Sequence, residues 1–189
     1  SKIKLDDKDS KLIKYLVEHK HTAPFRHPQL QFRITCPIYV ERQLFKHQVG
    51  MSANSISGRY VDFSDSYTTI SEWRKQSKSS KQGSDGVLNP FEQDMANKIQ
   101  EDVINYCKFR YDQLIELGVS KEQARSVLPL NLNTTFIWTG SILSFIHLFN
   151  LRLKPDAQAE TRNVAMLMLD CIKSIEGNSF KNTLEAFGI

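Results

Sequence analysis

The chain has 189 residues, of which 40% are apolar and 24% charged, and it carries a formal charge of +4. This is globular composition, and a chain of this length buries roughly 70% of its unfolded surface without needing disulfide or metal staples. The charge is too mild for a protein that clamps a long nucleic-acid backbone. No apolar run reaches the ~18 residues of a membrane span. The alternating Lys and Asp of the first residues do not read as a signal peptide. Three widely spaced cysteines, Cys36, Cys107 and Cys171, form no CxxC pair. They predict neither a zinc site nor a disulfide framework, but buried thiols in a reducing, cytoplasmic setting.

Without repeats, residues 1–189 read as one domain. Lys11 to Glu18 predicts a short helix. Gln31 to Cys36 alternates, with Phe32, Ile34 and Cys36 on one strand face. Pro37 suits the first turn of a helix through Ile38, Val40, Leu44 and Phe45 that fades before Gly50. Residues 50–60, rich in Ser, Asn and Gly, predict an ordered polar loop, and residues 71–86 an exposed polar connection. Phe91 to Leu117 has a helical period through Met95, Ile99, Val103 and Tyr111, with Gly118 closing it. Ser120 and Gln123 suggest a capping box for a helix to Val127. Leu130 to Trp138 alternates as a strand, with Leu130, Leu132, Thr134, Phe136 and Trp138 on one face. Ser141 to Arg152 is helical, Pro155 breaks it, and Asp156 can cap a helix from Ala157 to Ile175. Strands and helices mix without βαβ alternation, so the predicted class is α+β.

Two constellations could carry chemistry. Gln43, Lys46 and His47 share one helix face beside the polar loop, with Arg42 in the same helix. Together with Ser52, Asn54, Ser55, Ser57 and Arg59 they hold the parts of an anion site. Composition alone favours a solvated polar face. The second is Arg152, embedded among Ile142, Phe145, Ile146, Leu148 and Phe149, and nearly in line with Ser141 eleven residues earlier. A guanidinium there needs a carbonyl, a ligand or a carboxylate, with Glu160 or Asp156 as candidates. His147, on a flank, reads first as a packed histidine. Cys36 reads as core. The chain lacks GxSxG, HExxH, GxxxxGK[ST] and GxGxxG, so the residues name no nucleophile, metal or Gly-rich cradle, and a cofactor becomes the natural carrier of any hard reaction.

Several motifs occur together: HxHxxPFxH at 19–27, RQLFKHQ at 42–48, SANSISGRY at 52–60, RSVLPL at 125–130 and WTGSILSFIHLFNLRLKPDAQAE at 138–160. In order and spacing this set resembles the flavin-dependent thymidylate synthases. The resemblance implies an α+β fold, with a mixed or antiparallel sheet packed by long helices. It also implies a homotetramer with active sites shared between subunits. It implies reductive methylation of dUMP to dTMP, with methylenetetrahydrofolate as carbon donor, FAD as hydride carrier, NADPH as reductant and no cysteine nucleophile. By motif position it assigns Gln43, Lys46, Ser55, Ser57, Gly58, Arg59, Arg125 and Arg152 to dUMP, with Arg152 polarising the uracil. It assigns His21, Lys46, His47, Gln48, Ser141 and His147 to FAD.

The match has departures. The family's RHR triplet is Lys46-His47-Gln48 here, which keeps one charge and loses two guanidinium forks. The family's Glu after Asn54 is Ser55, and its Arg beside the flavin is Leu143. Two alternatives stay open: a pyrimidine hydroxymethylating variant, and a non-catalytic nucleotide- or RNA-binding protein on the same scaffold. The second is motivated by residues 71–82, whose net charge of +3 accounts for most of the basicity.

Overall fold

The computed structural model of the chain describes residues 6–57, 66–78, 83–175 and 180–189. Among these are seven α-helices and five strands. Three strands, β1 (Gln29–Pro37), β2 (Met51–Ser55) and β5 (Asn133–Ser141), form a sheet in the order β1-β5-β2. The chain divides into two compact units: Ser1–Arg33, Gln43–Ala53 and Ile137–Ile189 in the first, Ile34–Arg42 and Asn54–Phe136 in the second.

The first unit is built around one apolar helix, α5 (Ile142–Arg152). Ser141 caps it, its hydroxyl accepting from the Ser144 amide at 3.2 Å. Residues Ile142–Ile146, Leu148 and Phe149 are all buried, so the helix has little solvent face of its own. Phe145 meets the edges of Phe32 and Trp138, with ring centres 5.1 and 5.8 Å apart. Each such pair adds about 0.5–1.5 kcal/mol to simple area burial. The Ile142 amide donates to the Pro28 carbonyl at 3.0 Å, which ties the start of β1 to the start of α5.

Around this core lie α6 (Ala159–Ser174), α7 (Phe180–Ala186) and α1 (Asp7–Glu18). The last starts four residues before the predicted Lys11, because Asp6 and Asp9 form a reciprocal capping box. It ends in a left-handed turn at Lys20 (φ 56°), with the His21 amide returning to the Leu16 carbonyl at 2.8 Å. The predicted Asp156 cap does not form: α6 begins at Ala159, after Gln158. The helix α7 was not legible in the sequence pattern.

The second unit carries the 27-residue helix α3 (Pro90–Glu116), opened by an Asn89–Glu92 capping box and followed by Gly118 at φ 84°. Its length matches the predicted span. Much of its apolar stripe is exposed among the described residues, however: Phe91 is 72%, Met95 51% and Ile99 61% exposed, and Tyr111 is its one buried residue. The predicted 71–86 connection contains an antiparallel hairpin, β3 (Arg74–Gln76) with β4 (Ser84–Val87). Trp73 anchors it to α3 through Gln93 and Asn97. The short helix α4 (Lys121–Ala124) runs into a 3₁₀ turn over Arg125–Val127. Ser120 makes no side-chain cap, and its main-chain carbonyl accepts from Gln123 and Ala124 instead. The strand β5 begins three residues later than predicted, which leaves Leu130 50% exposed outside it. Leu132, Thr134, Phe136 and Trp138 are buried as expected.

Met51–Ser55, predicted as loop, is strand β2. Its outward residues are all polar or small and only Met51 is half-buried. As the end strand of the sheet order it shows no alternation for periodicity to detect. Gly50, just before it, has φ 70°, and a Cβ there would sit 2.4 Å from the Ser144 hydroxyl. Gly50→Ala is expected to cost about 1–3 kcal/mol, combining left-handed strain with that collision. Thermal unfolding checks this, and an unchanged Tm would contradict the packing described here.

Candidate functional site

Two polar features of the first unit are built on α5. The first is a cavity of about 200 Å³ at its N-terminal half. Ser141, Leu143, Ser144 and His147 line it from the helix and its cap, Val49 and Gly50 from the turn before β2, Arg26 from the 3₁₀ turn over Ala23–Arg26, and Gln29 from the start of β1. Ser141 and Ser144 are buried and share a hydroxyl–hydroxyl contact of 2.9 Å, and Ser144 also donates to the Gly50 carbonyl at 3.4 Å. The positive end of a helix, a guanidinium, an amide, an imidazole and two hydroxyls make a donor-rich setting suited to an anionic or carbonyl-rich ligand. His147 is exposed at this cavity, so the packed-histidine reading is corrected. A site of this size falls below the ~300–1,000 Å³ of a complete cofactor pocket.

The second feature lies at the other end of α5. Arg152 Nε donates to His47 Nε2 at 2.9 Å, and Nη2 to the Gln43 main-chain carbonyl at 3.4 Å. The partner is thus neither Glu160 nor Asp156, as the sequence had suggested. Gln43 is itself held on both sides of its amide. Its Nε2 donates to Gln158 Oε1, and its Oε1 accepts from the fully buried Thr161 at 3.1 Å. Gln158 in turn donates to Glu160 at 2.9 Å. An unbroken run of hydrogen bonds therefore leads from the Glu160 carboxylate to Gln43. Gln158 and Thr161 were not singled out by sequence reasoning; Gln158 lies within the AQxE stretch and Thr161 directly follows it, which was the available signal.

His47 accepts from a guanidinium, so its Nε2 is unprotonated and its proton sits on Nδ1. Burial, and then the charge of Arg152, hold its pKa below the ordinary 6.5. As pH falls, the unfolded chain takes up this proton first. The stability tied to neutral His47 is intact above about 6.5 and is lost as pH drops through the lowered value.

The other expected residues make none of the side-chain contacts described above. α2 spans Ile38–Leu44, so Lys46 and His47 lie in a turn beyond it, held by Lys46 N to Gln43 O at 3.3 Å and His47 N to Leu44 O at 2.9 Å. The Lys46 and Gln48 side chains are exposed. His21 is exposed, its ring 6.4 Å from those of Tyr15 and His19. In the second unit, Ser55 donates to Glu41 at 2.8 Å and Ser57 is half-buried. Arg125 is exposed at the end of α4, its Nε on the Glu122 carbonyl at 3.3 Å. Gly58 and Arg59 lie outside the described residues.

Residues 1–176 match the family described as thymidylate synthase complementing protein. The chain belongs to that family. It is 39% identical over 166 residues to the flavin-dependent thymidylate synthase of Thermus thermophilus, covering 87% of this chain and 60% of that protein. It is 37% identical to the enzyme of the same name from Kosmotoga olearia, covering 89% of this chain and 73% of that one. The chain thus spans only about 60% of the length of the Thermus relative. In fold it is similar to a UMP/dUMP methylase, PolB of Streptomyces cacaoi. The TM-score is 0.85 at 24% identity, over 95% of this chain and 82% of that one. Among the described residues no helix is long and apolar enough to cross a membrane.

The cysteines bear on family chemistry. Cys36 is 3% exposed, and its thiol is pushed up to about 12 by burial and then by Glu41, so it is not a thiolate at neutral pH. Contrary to expectation, Cys107 is half-buried and Cys171 exposed. An aromatic disulfide reagent at pH 8 is expected to label Cys171 first and Cys36 only after denaturation. Rapid labelling of Cys36 in the folded protein would contradict this assignment.

Proposed function

We propose that the chain is a flavin-dependent thymidylate synthase, one functional domain that methylates dUMP to dTMP. FAD would be the bound redox cofactor, methylenetetrahydrofolate the carbon donor and NADPH the reductant. Family membership over residues 1–176 and the names of the relatives support the activity. The observation that carries the residue assignment is the guanidinium of Arg152. Among the described residues, two of its five N–H groups are engaged, by His47 and Gln43, which leaves both of Nη1 and one of Nη2 for a ligand. A planar fork presented this way suits the carbonyl edge of a uracil ring, where it stabilises negative charge at N3 and O2 or O4 and so activates C5. A protonated, buried Cys36 agrees with a route that needs no thiolate.

The dUMP ligands would be Gln43, Lys46, Ser55, Ser57, Gly58, Arg59, Arg125 and Arg152. FAD would meet His21, Lys46, His47, Gln48, Ser141 and His147. The Ser141–His147 cavity has the donors for one part of that cofactor, with Arg26 suited to a phosphate. When bound, the flavin supplies the hydride. The chain's own residues bind, orient the base and hold charge.

The incomplete cavity and the exposed stripe Phe91, Met95, Ile99 and Val103 on α3 support a homotetramer with shared sites. Natural monomers rarely leave such a stripe open. Light scattering is expected to give a tetramer, reduced to smaller species in Ile99→Glu. A monomeric wild type would count against shared sites.

The activity test is dUMP-dependent NADPH oxidation by the FAD-loaded protein, with product mass separating methyl from hydroxymethyl and UMP run beside dUMP. No turnover, with salt-sensitive RNA binding instead, would favour the non-catalytic alternative. Arg152→Ala is expected to bind flavin and lose about 100-fold or more of kcat, in line with loss of one preorganised charge-stabilising donor. Arg125→Ala is expected mainly to raise the dUMP KM. Near-normal kcat in the first variant, or an unchanged KM in the second, would remove the assigned role.

A further inference from the structure

We infer that His47 is a positioning residue: as a neutral acceptor it locks the Arg152 guanidinium in the orientation that presents its fork, and its protonation releases Arg152. The inference deepens the proposed function and rests on that reading for its catalytic consequence, but not for the contact itself.

The geometry carries it. The Nε–H of an arginine fixes the roll of the guanidinium plane about the end of the side chain. Here that donor is given to His47 Nε2 at 2.9 Å, the shorter of the two contacts on Arg152. The 3.4 Å contact to Gln43 O is long and would not hold the plane alone. His47 is in turn fixed by its backbone, whose amide bonds Leu44 O at 2.9 Å just past α2. Arg152 is fixed in position by α5, whose body is buried. One imidazole nitrogen therefore closes a bracket between two rigid elements.

An imidazolium has no lone pair to offer, so protonation breaks the bracket and sets two cations 2.9 Å apart. Among the described residues, the charged groups linked to His47 are Arg152 from α5, Lys46 preceding it in the same turn, and Glu160 of α6, which connects through Gln158 and Gln43. Arg152 disfavours the imidazolium, and Glu160 is already engaged by an amide. The role is additional to the flavin contact implied by motif position. Lys46 and Gln48 are exposed, whereas His47 is half-buried against Arg152.

The test uses the full chain in two arms. In the first, without ligand, ¹H–¹⁵N spectra follow Arg152 Nε from pH 8 to 5. Its resonance is expected to shift with the same midpoint as the His47 ring. In His47→Gln, whose amide oxygen accepts but does not titrate, it is expected to stay constant. An Arg152 Nε signal indifferent to His47 protonation overturns the inference, whatever the protein's activity. In the second arm, with FAD and dUMP, His47→Leu is expected to lower kcat about 100-fold with a little-changed dUMP KM, the scale of a misplaced catalytic group. His47→Gln is expected to recover most of that loss and to lack the acid limb of the wild-type kcat profile. A persistent acid limb in His47→Gln, or a Leu variant that turns over normally, overturns the positioning role. If no variant turns over, wild type included, the proposed function fails while the first arm still decides the contact.

Discussion

Burial of α5 is the constraint on which the rest of the site depends. With Ile142 through Ile146, Leu148 and Phe149 all packed inside, the helix cannot rotate without exposing several large side chains, each worth about 1.5–3 kcal/mol of burial. Its rotational setting therefore decides where its few polar residues point. Ser141 and Ser144 fall at the buried N-terminal end, His147 on the one open flank, and Arg152 at the last turn. The cavity and the guanidinium bracket are two ends of one rigid part. Fixing such groups before a ligand arrives lowers the ordering cost of binding.

The bracket at Arg152 shows how a cation in an apolar helix is held, among the described residues, by a neutral imidazole and a carbonyl. A carbonyl and a neutral imidazole satisfy two donors and leave the charge uncancelled. A carboxylate would have neutralised it and weakened its field on any ligand bound there. The acid that is present, Glu160, is kept one amide further away, where it orients Gln158 and through it Gln43. Polar networks of this kind are costly when half-satisfied, and here each amide has a partner on the side that matters.

Much of this was legible in the sequence, and the failures have physical reasons. α3, α5 and the β1 alternation are strongly periodic, and they appear where predicted. Arg152 could be marked as unusual because its neighbours are apolar. Strand β2 was missed because a polar sheet edge has no alternation, and the β3–β4 hairpin because three- and four-residue strands in a lysine-rich stretch give propensity little to act on. The Ser120 and Asp156 caps were misjudged because a capping residue type does not ensure the side-chain bond. The partner of Arg152 could not be read at all. His47 lies 105 residues away, and only the tertiary fold brings it within reach. The exposed stripe of α3 was correctly periodic, but a sequence does not say whether a stripe faces its own chain or another.

The proposed function requires that a bound flavin and a uracil nucleotide meet, with Arg152 presented to the base. The most direct test is an equilibrium titration of the FAD-loaded protein with dUMP, followed by the flavin absorbance spectrum. A saturable spectral change is expected on adding dUMP, much weakened in Arg152→Ala. A flavin spectrum identical to that of free FAD, with and without dUMP, would contradict it.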